Sequence, residues 1–317
     1  MSTFEELRTA VEARIAAWCA AQPTDGLHAP MIYLMRLPAK RVRPVAVLMG
    51  CELFGGRAAD ALDEALGIEL FHNFTLMHDD IMDAAPLRRG RPTVHERWNV
   101  NTAILSGDAM FVHAGMLLAR RPQVLQRFHH HALGVCQGQQ LDMDFEKRGS
   151  VRAEEYVEMI RLKTAVLLAC ALEAGALVAG AEAEQVDRIG AFGEHLGLAF
   201  QLRDDLLDAY GDPALTGKQR GGDLRAGKKT YLLIRGLELS RAHDRTELQE
   251  ELQRPALDRD VSRMTAVLEA LGVRGEAEAA VRMHDAAARE LLDALPVPEE
   301  RKRPLRDLAD ALLERVS

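Results

Sequence analysis

The sequence predicts an all-α protein, and three observations carry that expectation. Apolar residues recur at helical rather than alternating spacing, as in Phe4, Leu7, Val11, Ile15 and Trp18. Aromatics are only 5% of a chain that is 48% apolar, with Ala and Leu dominant, which suits helices packed closely through small side chains. Runs of β-branched residues bounded by turn residues are scarce, so almost no sheet is expected. No Ser/Gly tract, Pro-rich spacer or charge block divides the 317 residues, so residues 1–317 read as a single domain.

Composition also excludes some functions. A formal charge of −8 argues against nucleic acid as a partner. Cys19, Cys51, Cys136 and Cys170 are scattered through apolar helical segments without C-x-x-C spacing, as expected of free, buried thiols in a reducing cytosol. The N-terminal M-S-T-F-E-E-L-R is acidic and amphipathic, so it does not read as a signal peptide. The most apolar stretch, 164–180, is interrupted by Glu173 and too short to span a bilayer. A cytoplasmic protein outside the membrane is the expectation.

In chain order, a first helix over about 3–21 offers its apolar stripe to the core or to a subunit interface. A basic group, Lys40, Arg41 and Arg43, follows, with Pro44 opening the next helix. Cations at a helix start oppose the macrodipole, which makes sense if they face a phosphate; a solvated charge run is the plainer alternative.

The next helix, about 58–84, carries the stretch around which the chain is organised. Asp79, Asp80 and Asp83 close it, and Arg88 and Arg89 follow after Pro86. At about 100° per residue, Asp79 and Asp83 lie roughly 40° apart and one turn from each other. Like charges so placed repel, and hard divalent cations such as Mg²⁺ are the natural counterions for a set of oxygen ligands. Carboxylates beside an arginine pair suit a metal-held polyanion, a diphosphate above all. His72, seven residues before Asp79, lies on nearly the same face, although a lone His on an apolar helix is more often core. Phe71, Phe74 and Thr75 sit one to two turns before the cluster, where bulk would block a chain growing away from it; geometry alone does not choose among them.

Residues 101–146 read as two helices parted near Arg120–Pro122. His129, His130 and His131 are consecutive, point in different directions and form no metal site by themselves. Lys163 and Thr164 precede the apolar run A-V-L-L-A-C-A-L, and a lysine at the edge of a buried helix is costly unless it meets an anion. A helix over about 184–210 ends in Asp204, Asp205 and Asp208, which repeat the spacing of the first cluster. One such cluster is often a solvated helix end; two, each followed by basic residues, read as two walls of one polynuclear Mg²⁺ site. Gln201 lies on the Asp204 face, where its carbonyl can meet developing positive charge. The Gly- and Lys/Arg-rich stretch after the cluster suits a lid over a diphosphate. Within it, G-D-L-R-A-G-K-K lacks the final Ser/Thr of a Walker A loop and follows no strand, so an ATP site is rejected. From about 230 to 316 the chain is amphipathic helices without a motif.

Taken together, K-R-V-R-P, D-D-I-M-D, G-Q-Q-L-D, K-T, F-Q and D-D-L-L-D resemble the trans-isoprenyl diphosphate synthases, the family of farnesyl, geranylgeranyl and polyprenyl diphosphate synthases, over about Lys40 to Lys228. The resemblance implies one helical bundle of the isoprenoid synthase type around a deep central cavity, the aspartate clusters facing each other across its mouth. It implies a Mg²⁺-dependent prenyltransferase that joins isopentenyl diphosphate to an allylic diphosphate by ionisation, condensation and elimination. Asp79, Asp80, Asp83, Asp204, Asp205 and Asp208 would hold a trinuclear Mg²⁺ centre. Lys40, Arg43, His72 and Arg89 would bind isopentenyl diphosphate, and Arg88, Lys163, Lys218 and Lys228 the allylic diphosphate. Lys163, Thr164, Gln201 and Arg88 would serve catalysis, and Gln140 or Asp142 would support the site. An aromatic at the fifth position before the first aspartate, here Phe74, implies a short product, farnesyl or geranylgeranyl diphosphate, with Thr75 and Phe71 beside it. A homodimer is also implied.

The sequence departs from the family at Pro38-Ala39, where Gly-Gly is usual; Pro38 has no N–H to donate to a substrate. A class I terpene cyclase, acting on an allylic diphosphate alone, is one rival. It would carry an Asn/Ser/Glu motif instead of a second D-D-x-x-D. A non-catalytic partner subunit of a prenyl synthase is the other, and such subunits tend to lose an aspartate cluster.

Overall fold

The computed structural model of the chain describes residues 2–212 and 220–314. Its helices are α1 (Phe4–Ala21), α2 (His28–Met35), α3 (Val42–Leu53), α4 (Leu62–Met82), α5 (Val94–Arg97), α6 (Val100–Leu118), α7 (Pro122–Lys147), α8 (Ala153–Ile160), α9 (Val166–Val178), α10 (Ala183–Tyr210), α11 (Gly222–Ala226), α12 (Tyr231–Ala242), α13 (Glu247–Gln253), α14 (Val261–Ala270), α15 (Val273–Asp293) and α16 (Glu299–Leu313). Among the described residues the only sheet is a hairpin, β1 (Leu87–Arg88) paired antiparallel to β2 (Arg91–Pro92). The all-α class predicted from the sequence holds.

The chain divides into two compact units. The first comprises Met1–His129, Cys170–Ile189 and Pro296–Pro304. Within it α1 starts on a capping box: the Thr3 hydroxyl accepts from the Glu6 amide, and the Glu6 carboxylate accepts from the Thr3 amide at 2.7 Å. Leu7, Val11, Ile15 and Trp18 are buried, as their spacing predicts. The helix expected over about 58–84 is a 3₁₀ turn, Ala58–Ala61, followed by α4. Pro44 does not open α3 but is its third residue; its missing N–H costs nothing there, because first-turn amides have no partner within the helix. The residue that opens α3 is Arg41, left-handed at φ 53°.

The second unit comprises His130–Ala169, Gly190–Leu295 and Leu305–Ser317. Tyr156, Met159, Ile160, Leu198, Leu202, Leu206, Leu232, Leu233, Leu248, Met264 and Leu268 belong to its core. Each such side chain contributes about 1.5–3 kcal/mol on burial, so α8, α10, α12, α13 and α14 are tied together by area rather than by specific bonds. Between α8 and α9 runs a single π turn, Arg161–Ala165, in which the Val166 amide donates back to the Arg161 carbonyl.

Among the described residues no helix is long and apolar enough to cross a membrane. Cys19, Cys51, Cys136 and Cys170 are all free thiols, and Cys136, expected to be buried, is exposed.

Candidate active site

The aspartate clusters sit at C-terminal helix ends. Asp79 and Asp80 lie in the last turn of α4, with Asp83 as its cap; Asp204, Asp205 and Asp208 lie in the last two turns of α10. Carboxylates there oppose the macrodipole, at typically 0.3–1 kcal/mol each, so helix stability does not explain them.

In each cluster the second aspartate turns inward. Asp80 is 3% exposed and Asp205 4%, whereas Asp79, Asp204 and Asp208 are half-buried and Asp83 is exposed. Asp80 is gripped by Arg88, whose Nε donates to its two carboxylate oxygens at 2.9 and 2.8 Å and whose Nη2 stands 2.7 Å from Oδ1. Asp205 is held by neutral groups: the Tyr156 hydroxyl donates to Oδ2 at 2.6 Å and the Gln201 amide to Oδ1 at 3.2 Å. Burial pushes the Asp205 carboxyl up to about 7, against the pull of those hydrogen bonds. The Tyr156 hydroxyl is itself pushed well above its ordinary value, by burial first and by Asp205 second. Asp208 accepts from the Asp223 amide at 3.0 Å, which ties the end of α10 to the start of α11.

The two arginines after the first cluster are presented by the hairpin. Its turn residues Arg89 and Gly90 both have positive φ, 53° and 73°, as a two-residue turn of type I′ requires. For a non-glycine residue that conformation costs about 1–2 kcal/mol. Tyr33 braces the hairpin by donating to the Pro92 carbonyl at 2.7 Å, and the Arg97 guanidinium lies 4.4 Å from the Tyr33 ring and 4.8 Å from the Trp98 ring.

The first basic group divides by role. Lys40 is exposed. Arg41 is 3% exposed and makes a buried pair with Glu69 at 2.6 Å; it also bonds Glu12 at 2.8 Å and the Met35 carbonyl at 2.6 Å. Arg43 approaches His72, Nη1 to Nε2, at 3.4 Å, and its buried Nε has no acceptor. His72 is held neutral: burial lowers it well below its ordinary value, and Arg43, Arg89, Arg88 and Arg41 lower it further. A buried donor without a partner, next to a histidine that burial and then the arginines keep uncharged, is an environment an anion would complete.

Lys163 lies within the π turn, its Nζ 2.6 Å from Asp142 Oδ2. Gln140 instead donates to Asp144, at 2.9 Å. Thr164 Oγ1 lies 3.5 Å from Gln201 Oε1, at the limit of hydrogen-bond reach, which links the K-T and F-Q motifs through Gln201 to Asp205. Lys228 is exposed just after α11, and Lys218 lies outside the described residues. Phe74 is half-buried in an aromatic group, its ring 5.5 Å from Phe71, 5.5 Å from Phe111 and 4.7 Å from His78. Phe71 packs edge-on to Phe128 at 5.0 Å. Thr75 bonds the His72 carbonyl at 2.8 Å, so its hydroxyl is spent on its own helix.

Sequence reasoning missed Tyr156, Asp223 and the structural role of Arg41. Tyr156 stands 49 residues before Asp205 in a helix that reads as amphipathic core, and no spacing rule joins the two. The burial of Arg41 follows from Glu69, 28 residues on, which reads as one more charge in an apolar helix.

Helical units, two carboxylate-ended helices and arginine- and lysine-bearing turns define a class: an all-α enzyme for diphosphate esters. Comparison with known proteins narrows it. Residues 24–271 match the polyprenyl synthetase family, and the chain belongs to it: it is a prenyl diphosphate synthase, a prenyltransferase. It is 37% identical to a short chain isoprenyl diphosphate synthase of Methanothermobacter thermautotrophicus, over 89% of this chain and 88% of that protein. A crystal structure of a geranylgeranyl pyrophosphate synthase superposes with a TM-score of 0.93 at 40% identity, covering 100% of both chains. Another, from Corynebacterium glutamicum and complexed with isoprenyl diphosphate and magnesium, gives 0.87 at 29% identity, covering 99% of this chain and 100% of that one.

Among the described residues no three His, Cys, Asp or Glu side chains already converge as a metal cage. The donor set nonetheless fits Mg²⁺. It is all carboxylate oxygen, and Asp79, Asp83, Asp204 and Asp208 keep accessible surface where a cation that retains some water would bind.

Proposed function

We propose that the chain condenses isopentenyl diphosphate with an allylic diphosphate to give a short all-trans product, farnesyl or geranylgeranyl diphosphate. The observation that carries this reading is the arrangement around Arg43: an orphaned buried guanidinium Nε beside a neutral His72, with Arg89 adding to the positive field on that histidine. A cyclase needs no second anion site of this kind. Lys40, Arg43, His72 and Arg89 hold isopentenyl diphosphate, and neutral His72 can donate a hydrogen bond without adding charge. Arg88, Lys163, Lys218 and Lys228 hold the allylic diphosphate.

Asp79 and Asp83, with Asp80 beside them, and Asp204 and Asp208, with Asp205 beside them, would hold Mg²⁺, which when bound would supply Lewis acidity toward the allylic diphosphate leaving group. The protein's own part is positioning and charge. Arg88 locks Asp80, and Tyr156 with Gln201 locks Asp205, so the outer aspartates of each cluster are presented on fixed helix ends. Lys163 adds positive charge against the leaving diphosphate. Carbonyl and hydroxyl oxygens near Lys163, Thr164 and Gln201 would stabilise the carbon that becomes cationic. The isopentenyl double bond attacks that carbon, and the proton then lost goes to the departed diphosphate. Phe74, packed on Phe71 and Phe111, limits how far the product grows.

A homodimer and a cytoplasmic setting complete the proposal. Leu105, Val112 and Met116 stand 60%, 59% and 66% exposed on one face of α6, an apolar stripe that suits a second copy of the chain. The free thiols suit a reducing compartment. Light scattering should give twice the chain mass, and Val112→Asp should reduce it to one.

The decisive experiment is product analysis. Purified protein receives Mg²⁺, isopentenyl diphosphate and each allylic primer in turn, and the dephosphorylated products are sized by mass spectrometry. Prenyl alcohols longer than the primer, ending at fifteen or twenty carbons (the farnesyl and geranylgeranyl lengths), are expected. A hydrocarbon from the primer alone would make the chain a cyclase, and no turnover would make it a partner-dependent subunit.

A further inference from the structure

The π turn that carries Lys163 and Thr164 is hemmed in on both sides by glycines. A Cβ on Gly138 of α7 would lie 2.3 Å from the Lys163 amide nitrogen, 2.7 Å from its Cα and 2.8 Å from the Leu162 carbonyl carbon. A Cβ on Gly197 of α10 would lie 2.6 Å from the Ala165 Cα and 2.8 Å from its Cβ. These are mostly backbone atoms of the turn itself, so no rotamer change relieves them. The contrast is Gly134, one turn earlier on α7. A Cβ there would meet only side-chain carbons, Leu162 Cδ2 at 3.5 Å and Val166 Cγ2 at 3.7 Å, in ordinary contact. Close approach is therefore confined to the two glycines that face the widened turn.

We infer that Gly138 and Gly197 are positioning residues for the prenyl-transfer step: their missing side chains make the room in which the Arg161–Ala165 segment exists as a π turn. The reason is geometric. A π turn bulges the backbone outward and closes i→i+5 bonds, as the Val166 amide to Arg161 carbonyl bond does. Returning from that pattern to the α pattern skips one carbonyl of the ladder, which is left to face something other than a helix amide. A regular α turn would withdraw the backbone, rotate Lys163 and Thr164 about the helix axis and remove that carbonyl. The Lys163–Asp142 pair at 2.6 Å and the Thr164–Gln201 approach at 3.5 Å both depend on the present register. The inference rests on the reading of Lys163 and Thr164 given under the proposed function.

Gly138→Ala, Gly197→Ala and, as control, Gly134→Ala are compared. All three are expected to fold, because the turn can relieve a new methyl by relaxing to regular α geometry. Gly138→Ala and Gly197→Ala should lose about 10²-fold in kcat, the scale of a misplacement near 1 Å at the reacting centre, with the KM for isopentenyl diphosphate unchanged. Gly134→Ala should stay within about twofold of wild type, as expected away from that centre. Wild-type kcat in folded Gly138→Ala and Gly197→Ala would overturn the inference. So would loss of their cooperative melting transition, which would make them packing residues only. Lys163→Ala and Thr164→Val test the underlying reading separately. If both keep full kcat, that reading fails whatever the glycine variants do; if both lose it and the glycine variants do not, only the inference fails.

Discussion

The two D-D-x-x-D clusters are the same word in sequence and different objects in structure. Asp80 faces a cation: Arg88 straddles both its oxygens, and the hairpin that delivers Arg88 is itself braced by Tyr33. Asp205 faces neutral donors, Tyr156 and Gln201, in a core of leucines, and burial lifts its carboxyl to about 7. The surroundings differ too. At the fifth position before the first aspartate, α4 carries Phe74, half-buried among aromatic rings, whereas α10 carries Ala199, fully buried. The comparison separates what the motif requires, outer carboxylates on a helix end and an inner one fixed by the protein, from what each unit is free to choose, the charge of the group that does the fixing.

The largest effect should come from the outer aspartates, where the clusters are alike. Asp79→Ala and Asp204→Ala should each cost roughly 10³-fold in kcat, the loss of several kcal/mol of Lewis-acid stabilisation. A variant that keeps activity within tenfold would break the equivalence of the two clusters. Next come the inner partners, where they differ. Arg88→Ala leaves a buried carboxylate without its cation and should destabilise by about 3 kcal/mol. Tyr156→Phe removes one neutral donor of two and should cost about 1–2 kcal/mol. Urea unfolding of both variants measures the gap, and equal losses would refute the charged-versus-neutral distinction.

A smaller effect separates the regions by pH. His72, crowded by burial and by Arg43, Arg89, Arg88 and Arg41, stays neutral in the folded state, while the unfolded chain takes up the proton near the ordinary value of 6.5. The unfolded state therefore binds more protons below that value, so stability falls as pH drops through it. His72→Gln should flatten the loss between about pH 7 and 5, read as the urea midpoint against pH. An unchanged slope would mean that His72 protonates as readily folded as unfolded. The smallest effect on rate, although the clearest on product, is expected of Phe74→Ala. With kcat within a few-fold, the tolerance usual for a residue away from the reacting centre, the product should gain at least one isoprene unit. Unchanged product length would move the limit to Phe71 or Phe111.

Much of this was legible in the sequence. The period of apolar residues fixes helix or strand locally, so the all-α class and the spans of α1, α6, α7 and α10 could be read directly. The carboxylate clusters could be read as well, because residues one and four apart on a helix share a face whatever surrounds them. Two kinds of information could not. Arg41 looks like a third substrate-facing cation of its group, and only the fold turns it inward onto Glu69 and into the left-handed conformation that opens α3. Tyr156 and Gly197 carry no local signal, and Gly138, though it opens G-Q-Q-L-D, gives no sign of the turn it faces, because their significance lies in atoms tens of residues away.

The sequence by itself therefore determined the helices, the two acidic helix ends, the basic turns and, through their combination, the family. Those features depend on spacing along one chain. Tertiary structure alone decided which aspartate of each cluster turns inward, which charge secures it, and where a helix must open into a π turn. Each of these depends on what stands opposite after burial: desolvation sets the value of a charge or a hydrogen bond, and backbone-to-backbone distance sets whether a methyl can be tolerated.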